Sequence, residues 1–275
     1  MKWNDIYKIS RPRFWIYYAG TYAVGASLGA ASMQDFTIGF FLLLAFFTFP
    51  ANFFIYGIND YFDWETDKLN PKKRSKEYLL KPENKKKLRY LLVIPVLLGL
   101  LLTLLIQPSL LWFMIAFLAI GGWYSAPPFR FKARAFFDSF SNLFYVIPGF
   151  MSYYQFTGSL PPVEIMIAAM IWSMSMHLYS AVPDITPDSK AKITTTATVL
   201  GKKWSLLLCT ALWLTSSILT VPFAPLIALL GLVYPLVALG SFKNIEKIYW
   251  FYPYINAIMG GVIFWFGAVS WSGLF

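Results

Sequence analysis

Nine apolar runs, joined by loops that alternate between basic and free of basic residues, leave this chain few ways to fold. The runs lie at 14–31, 37–58, 88–106, 110–126, 136–156, 163–183, 203–221, 224–241 and 250–272. A helix needs about 20 mostly apolar residues to cross the hydrocarbon of a bilayer, and most of these runs are close to that length. Of the 275 residues, 58% are hydrophobic and only 13% charged, too few to cover a soluble domain of this size. The expected fold is an all-α integral membrane protein, with nine transmembrane helices bundled into a single domain over 1–275. The first run follows Arg11-Pro12-Arg13 and lacks a small-residue cleavage site, so it is expected to be a retained span rather than a signal peptide.

The loops predict an orientation. All 23 Lys and Arg fall in 1–13, 59–87, 127–135, 184–202 and 242–249 or at the edges of those segments. The alternate segments 32–36, 107–109, 157–162, 222–223 and 273–275 contain none. Lys and Arg concentrate in cytoplasmic loops, so the N-terminus is expected inside and the C-terminus outside. The same distribution argues against nucleic acid as the reason for a net charge of +10, because the charge is divided among short loops. Cys209 is the single cysteine, which excludes an intramolecular disulfide.

Two acidic strings then stand out on the predicted cytoplasmic side. Asn59-Asp60-Tyr61-Phe62-Asp63-Trp64-Glu65-Thr66-Asp67 closes the second run, and Asp184-Ile185-Thr186-Pro187-Asp188 follows the sixth. A carboxylate costs roughly 2.5–3.5 kcal/mol at the centre of a membrane helix, so spans that end in clustered Asp need a reason. If the second span continues as a helix, the i, i+3, i+7 spacing of Asp60, Asp63 and Asp67 lines them along one face. Asp184 and Asp188 are spaced i, i+4, but Pro183 and Pro187 predict a kinked or unwound backbone there. Oxygen-only clusters suit hard cations, and Mg²⁺ takes one or two carboxylates with phosphate oxygens and water. No Cys or His cluster offers a zinc site, and no glycine-rich loop offers a nucleotide cradle.

A third polar stretch, Tyr124-Ser125-Ala126-Pro127-Pro128-Phe129-Arg130-Phe131-Lys132, faces the same side. Arg130 and Lys132 could take phosphate oxygens and Tyr124 could donate a hydrogen bond, while Lys190 and Lys192 add cations beside the second string. Ionised carboxylates repel an anionic ligand unless bridging metal ions invert the local sign. Carboxylates with metals on one side and cations on the other describe a diphosphate site. At the mouth of an aromatic-rich membrane cavity, its natural donor is an allylic prenyl diphosphate. Simpler readings stand beside this one. Arg130, Lys132 and Arg134 also serve as topology determinants. Lys85-Lys86-Lys87 suits lipid headgroups better than substrate. His177, the only histidine, lies on roughly the same helical face as Asp184 and could relay a proton or make an interhelical hydrogen bond.

These strings resemble the signatures of the UbiA superfamily of intramembrane prenyltransferases: Asn59-Asp60-x-x-Asp63-x-x-x-Asp67, Tyr124-Ser-x-Pro-Pro-x-Arg130-x-Lys132 and Asp184-x-x-x-Asp188. The resemblance implies nine helices around a central cavity open to lipid. It also implies two Mg²⁺ ions, one on Asp60, Asp63 and Asp67 with support from Asn59, the other on Asp184 and Asp188. Arg130, Lys132 and Lys190 would then grip the diphosphate. The chain departs from the family where Lys192 stands in place of a common Gly. Arg11-Pro-Arg-Phe-Trp15, Asn70-Pro-Lys-Lys73, Ser180-Ala-Val-Pro-Asp184 and Thr194-Thr-Thr-Ala-Thr-Val-Leu-Gly201 look like the carotenoid branch, the lycopene elongases. That branch implies transfer of a dimethylallyl unit to lycopene, giving C45 and C50 carotenoids, with water or proton loss quenching the final cation.

Three rival readings remain open from the residues. The acceptor could be an aromatic acid or quinone precursor, a haem or a glycerol-phosphate lipid. Arg11 or Arg13 would meet the charge of an aromatic carboxylate or phosphate acceptor. A cation transporter would need ionisable groups along the spans or paired across both faces. A non-catalytic scaffold would leave both acidic strings without a role.

Overall fold

The structure, a computed structural model, describes residues 1–68 and 78–271, and among these it is helical with no strand. A short amphipathic helix α1 (Trp3–Ile9) leads through a 3₁₀ turn at Pro12–Phe14 into α2 (Trp15–Gly29). Helices α3 (Ile38–Thr48) and α4 (Pro50–Phe62) form one pass kinked at Phe49, because Pro50 has no amide hydrogen to give. The short α5 (Trp64–Asp67) follows at once. Next come α6 (Lys85–Leu91), α7 (Val93–Ile106) and α8 (Leu111–Ser125).

The predicted run 136–156 is not one helix. It divides into α9 (Phe137–Phe140), a 3₁₀ segment Ser141–Tyr145 and α10 (Ile147–Thr157). Beyond it lie α11 (Val163–Ala181), α12 (Ile185–Lys190), α13 (Thr196–Thr220), α14 (Pro225–Gly231) and α15 (Val233–Trp271). Asn244, with non-helical φ and ψ, breaks α15 into the last two predicted passes.

The pattern of exposure is that of a membrane protein. On α7 the exposed residues are Val93, Ile94, Leu97, Leu101, Leu104 and Leu105, and the buried ones are Pro95, Gly99 and Thr103. Large apolar groups point outward and small ones inward, the arrangement lipid favours between packed helices. Among the described residues, five helical stretches are long and apolar enough to cross a membrane. The last of them, Pro225–Val269, contains two of the predicted runs. The remaining passes are shorter, broken or more polar, as in α2 with its Tyr, Thr and Gly residues. Helix α2 is central rather than lipid-facing, since Tyr18, Tyr22 and Ala26 are fully buried.

Close approach holds α2 in place. A Cβ on Gly25 would stand 2.0 Å from the Gly149 carbonyl oxygen of α10, so only glycine allows that contact. On its other side, Gly267 of α15 abuts the Ser27 carbonyl, bringing the C-terminal pass against the N-terminal one. Two large apolar cores flank α2, and a smaller third one gathers Ile9, Phe53, Leu80, Leu88 and Leu92. Of the large two, one gathers Tyr18, Phe47, Phe54, Phe117 and Phe144 from α2, α3, α4, α8 and the Ser141–Tyr145 turn. The other gathers Tyr179, Cys209, Trp213, Tyr234 and Tyr252 from α11, α13 and α15. Tyr145 packs against both, and a cavity opens between them.

Candidate active site

The cavity has a volume of about 270 Å³, and both halves of the bundle line it. Its polar wall is made by Arg11, Asn59, Lys132, Asp184 and Asp188, all at or beyond helix ends. Its aromatic wall includes Phe14, Tyr17, Tyr56, Phe144, Tyr145 and Tyr249. One chamber therefore offers charge at the helix ends and π surface between the helices.

The first acidic string nearly keeps the helical register expected of it. Asn59 and Asp60 occupy the last turn of α4, and Asp63 caps that helix with its amide bonded to the Asn59 carbonyl at 2.9 Å. The Asp67 amide bonds in turn to the Asp63 carbonyl at 2.8 Å. Asp60 and Asp63 are 1% and 2% exposed and Asp67 is half-buried; none of the three is in the cavity wall, which the string reaches through Asn59. The Arg11 guanidinium donates to Asp60 Oδ1 at 2.9 Å and lies 4.5 Å over the Tyr56 ring. Arg130 reaches Asp63 Oδ1 at 3.2 Å, and Lys132 is ion-paired with the other oxygen of the same carboxylate. The Asn59 amide donates to Ser125 Oγ at 3.3 Å, joining the first string to the end of α8.

Burial is the largest influence on the Lys132 ammonium and, with Arg11 close by, lowers its pKa to about 7; Asp188 and Asp60 act in the opposite sense. The contact with Asp63 also favours the charged form. A cation so buried is suited to meet further negative charge entering the cavity.

The second string departs from a regular helix, as Pro183 predicts. Val182–Asp184 form a 3₁₀ turn before α12, and Asp184 and Asp188 both face the cavity. Lys190 is exposed at the end of α12 and does not line the cavity. Lys192 adopts φ 56°, the left-handed region that glycine enters without penalty. Tyr124 lines the cavity with its ring edge-on to His177 at 5.7 Å between centroids. Arg13 is turned away: it donates to the Trp250 carbonyl at 2.7 Å and lies over the Trp250 ring. The string Asn70–Lys73 lies outside the described residues.

Sequence reasoning missed two participants. Arg11 was expected only as a partner for an acidic acceptor, yet it pairs with Asp60 and lines the cavity together with Asp184 and Asp188. Asp138 was not singled out at all. It is fully buried, accepts from the Thr196 amide at 3.0 Å and from the Thr196 hydroxyl, and lies 3.6 Å from His177 Nε2. The available signal was an acidic residue inside a predicted span, which is rare without a function.

The donor set fits a hard divalent cation, since it consists of carboxylate and amide oxygens beside cationic side chains. Among the described residues, no three His, Cys, Asp or Glu side chains gather at one point. An ion such as Mg²⁺ would accordingly take one or two carboxylates here and complete its shell with water and ligand phosphate oxygens.

Known proteins resemble this chain in sequence and in fold. The model of the UbiA prenyltransferase family matches residues 18–253. A lycopene elongase/hydratase of Haloferax volcanii is 40% identical over 267 residues, covering 93% of this chain and 85% of that protein. Its counterpart in Halobacterium salinarum is 36% identical and covers 94% of each. A solved UbiA homologue from Archaeoglobus fulgidus, bound to DMAPP and Mg²⁺, shares the fold with a TM-score of 0.80 at 23% identity, over 98% of this chain and 99% of that one. With the family model spanning all three polar motifs but the first basic turn, and relatives aligned over nearly the whole chain, this protein belongs to the UbiA prenyltransferase family.

Proposed function

We propose that this prenyltransferase moves a dimethylallyl group from its diphosphate to the terminal alkenes of lycopene, forming C45 and then C50 carotenoids, in a Mg²⁺-dependent reaction. The observation that carries the reading is the cavity itself, with cations and carboxylates at the helix ends and aromatic walls between the helices. The elongase relatives support the choice of acceptor. One catalytic domain over 1–275 would span the cell membrane, with the N-terminus and the motif loops cytoplasmic and the C-terminus outside.

Two Mg²⁺ ions would be held by Asn59, Asp60, Asp63 and Asp67 on one side and by Asp184 and Asp188 on the other. When bound they neutralise the leaving diphosphate. Arg11, Arg130 and Lys132 hold the same group by charge-assisted hydrogen bonds. The C–O bond of the donor breaks with its electron pair leaving on diphosphate. The aromatic rings shield the allylic cation from water and stabilise it through their π faces. The π electrons of the acceptor alkene then form the new C–C bond and leave a tertiary cation on the acceptor.

An aromatic carboxylate or phosphate acceptor would need a further cation in the chamber, and Arg13 is committed to Trp250 instead. An uncharged polyene meets no such requirement. The two carboxylates that line the cavity, Asp184 and Asp188, are four residues apart rather than spread along the spans, which disfavours a cation pathway through the bundle.

The test is prenyl transfer in membranes supplied with lycopene and labelled dimethylallyl diphosphate, comparing the wild type with Asp63→Ala and Asp184→Ala. C45 and C50 products are expected from the wild type with Mg²⁺, and loss of both in each variant and after chelation. Undiminished product in either variant would overturn the site. Label transferred only to a different acceptor would overturn the carotenoid reading and keep the enzyme.

A further inference from the structure

One buried acid takes no part in the chemistry above. Asp138, in α9, is fully buried in a segment where an uncompensated carboxylate is expensive. The first turn of α13 fixes it, since the Thr196 amide donates to Oδ2 at 3.0 Å and the Thr196 hydroxyl donates to Oδ1. The Thr196 hydroxyl oxygen accepts in turn from the Phe136 amide at 2.7 Å, so the carboxylate is anchored from two segments. Beyond this anchor, Oδ2 stands 3.6 Å from His177 Nε2.

His177 itself lines the cavity. It precedes Asp184 by seven residues, which along helix and 3₁₀ turn is about 10 Å farther into the bundle than the carboxylates of the second string. With Nε2 facing the carboxylate, Nε2 carries the imidazole proton and Nδ1 is left basic. The Asp138 carboxylate lies opposite the charge the ring would carry on taking a proton at Nδ1, and the Tyr124 ring packs against the imidazole at 5.7 Å between centroids.

We infer that His177 is the proton acceptor that ends the reaction, with Asp138 as its positioning residue. The inference rests on the prenyl-transfer reading above. After the C–C bond has formed, the acceptor carries a tertiary cation. In one outcome a C–H bond beside that centre breaks, its electron pair becomes a C=C bond and the proton goes to His177 Nδ1. In the other, a water oxygen bonds to the cation and loses its proton to the same nitrogen, leaving a tertiary alcohol. Where that nitrogen stands relative to the C–H bond and to a water decides which proton it takes, so the alkene-to-alcohol ratio reports its position.

The experiment measures the alkene-to-alcohol ratio of the prenylated product, made by full-length protein in membranes, for the wild type, His177→Gln, Asp138→Asn and Asp138→Glu. Loss of a positioned acid–base group should move that ratio by about tenfold or more in His177→Gln, with Asp138→Asn moving it in the same direction. Asp138→Glu, which keeps a carboxylate facing the imidazole, should return the ratio toward the wild type. If the wild type makes one product, the expected change is appearance of the other. A ratio unchanged in His177→Gln refutes the inference even if Asp138→Asn fails to fold, and it leaves the prenyl-transfer reading intact. Absence of prenylated product from every protein, the wild type included, would defeat both.

Discussion

Thr196→Val removes a hydroxyl and leaves the side chain almost the same shape, so it isolates one buried network. Thr196 is 2% exposed. Its hydroxyl donates to the Asp138 carboxylate and accepts from the Phe136 amide at 2.7 Å. A hydrogen bond to a charged group contributes about 1.5–3 kcal/mol, and an ordinary one about 0.5–1.5 kcal/mol. The two losses share one atom and are not independent, so the expected destabilisation is about 3 kcal/mol rather than their full sum. Thr196→Ser retains both bonds and should lose only the packing of one methyl, about 1 kcal/mol. The assay is denaturation of detergent-solubilised protein, followed by retention of the monodisperse species, for both variants alone and combined with Asp138→Asn. The valine variant should fall well below the serine variant, and the double variant should lose less than the two single changes together. Equal stability of the valine and serine variants would refute the claim that this hydroxyl anchors Asp138.

Two further outcomes follow from backbone and charge. Lys192→Gly removes a side chain from a left-handed residue and should stabilise the protein by about 1 kcal/mol, read as a higher thermal midpoint with unchanged helical content. Arg11→Ala should lower kcat/KM for the prenyl diphosphate by about 10- to 100-fold, the equivalent of one charge-assisted hydrogen bond, whereas Arg13→Ala should lower stability and leave kcat/KM close to the wild type.

The membrane fold was legible because apolarity over about 20 residues is a one-dimensional signal that lipid enforces. It was least legible at 136–156. That stretch is apolar enough to suggest a span, but Asp138, Ser141 and Asn142 turn inward and are buried. Satisfying such groups takes irregular backbone lining a polar interior, and the helix divides accordingly into α9, a 3₁₀ segment and α10. The acidic strings were legible for the same reason as the spans, since clustered Asp beside hydrocarbon violates the local pattern. Asp138 violates it too, but as a single residue. Its partners Thr196 and His177 lie 58 and 39 positions away, a pairing that no local spacing encodes. The Thr194–Gly201 string shows the converse: its resemblance was visible before its physical role. Thr195 caps α13, Thr196 holds Asp138, and Gly201 turns the chain at φ 71°.

The backbone around the cavity carries a related message. Four described non-glycine residues have positive φ: Arg11 at 49°, Arg130 at 44°, Phe136 at 69° and Lys192 at 56°. Each such conformation is unfavourable by about 1–2 kcal/mol, so surrounding contacts must hold it. Arg11 and Arg130 are the guanidinium groups paired with Asp60 and Asp63. The Phe136 amide bonds to the Thr196 hydroxyl that anchors Asp138, and Lys192 follows α12 just beyond Asp188. All four positions thus flank groups assigned to diphosphate, metal or proton. A relaxed backbone at Arg11 or Arg130 would redirect the side chain away from its carboxylate, and the ion pairs that tie the two basic turns to the first acidic string would be lost. The strain is the local cost of bringing opposite charges from loops far apart in sequence to the mouth of an apolar cavity, where a diphosphate can replace one carboxylate contact with another of the same sign.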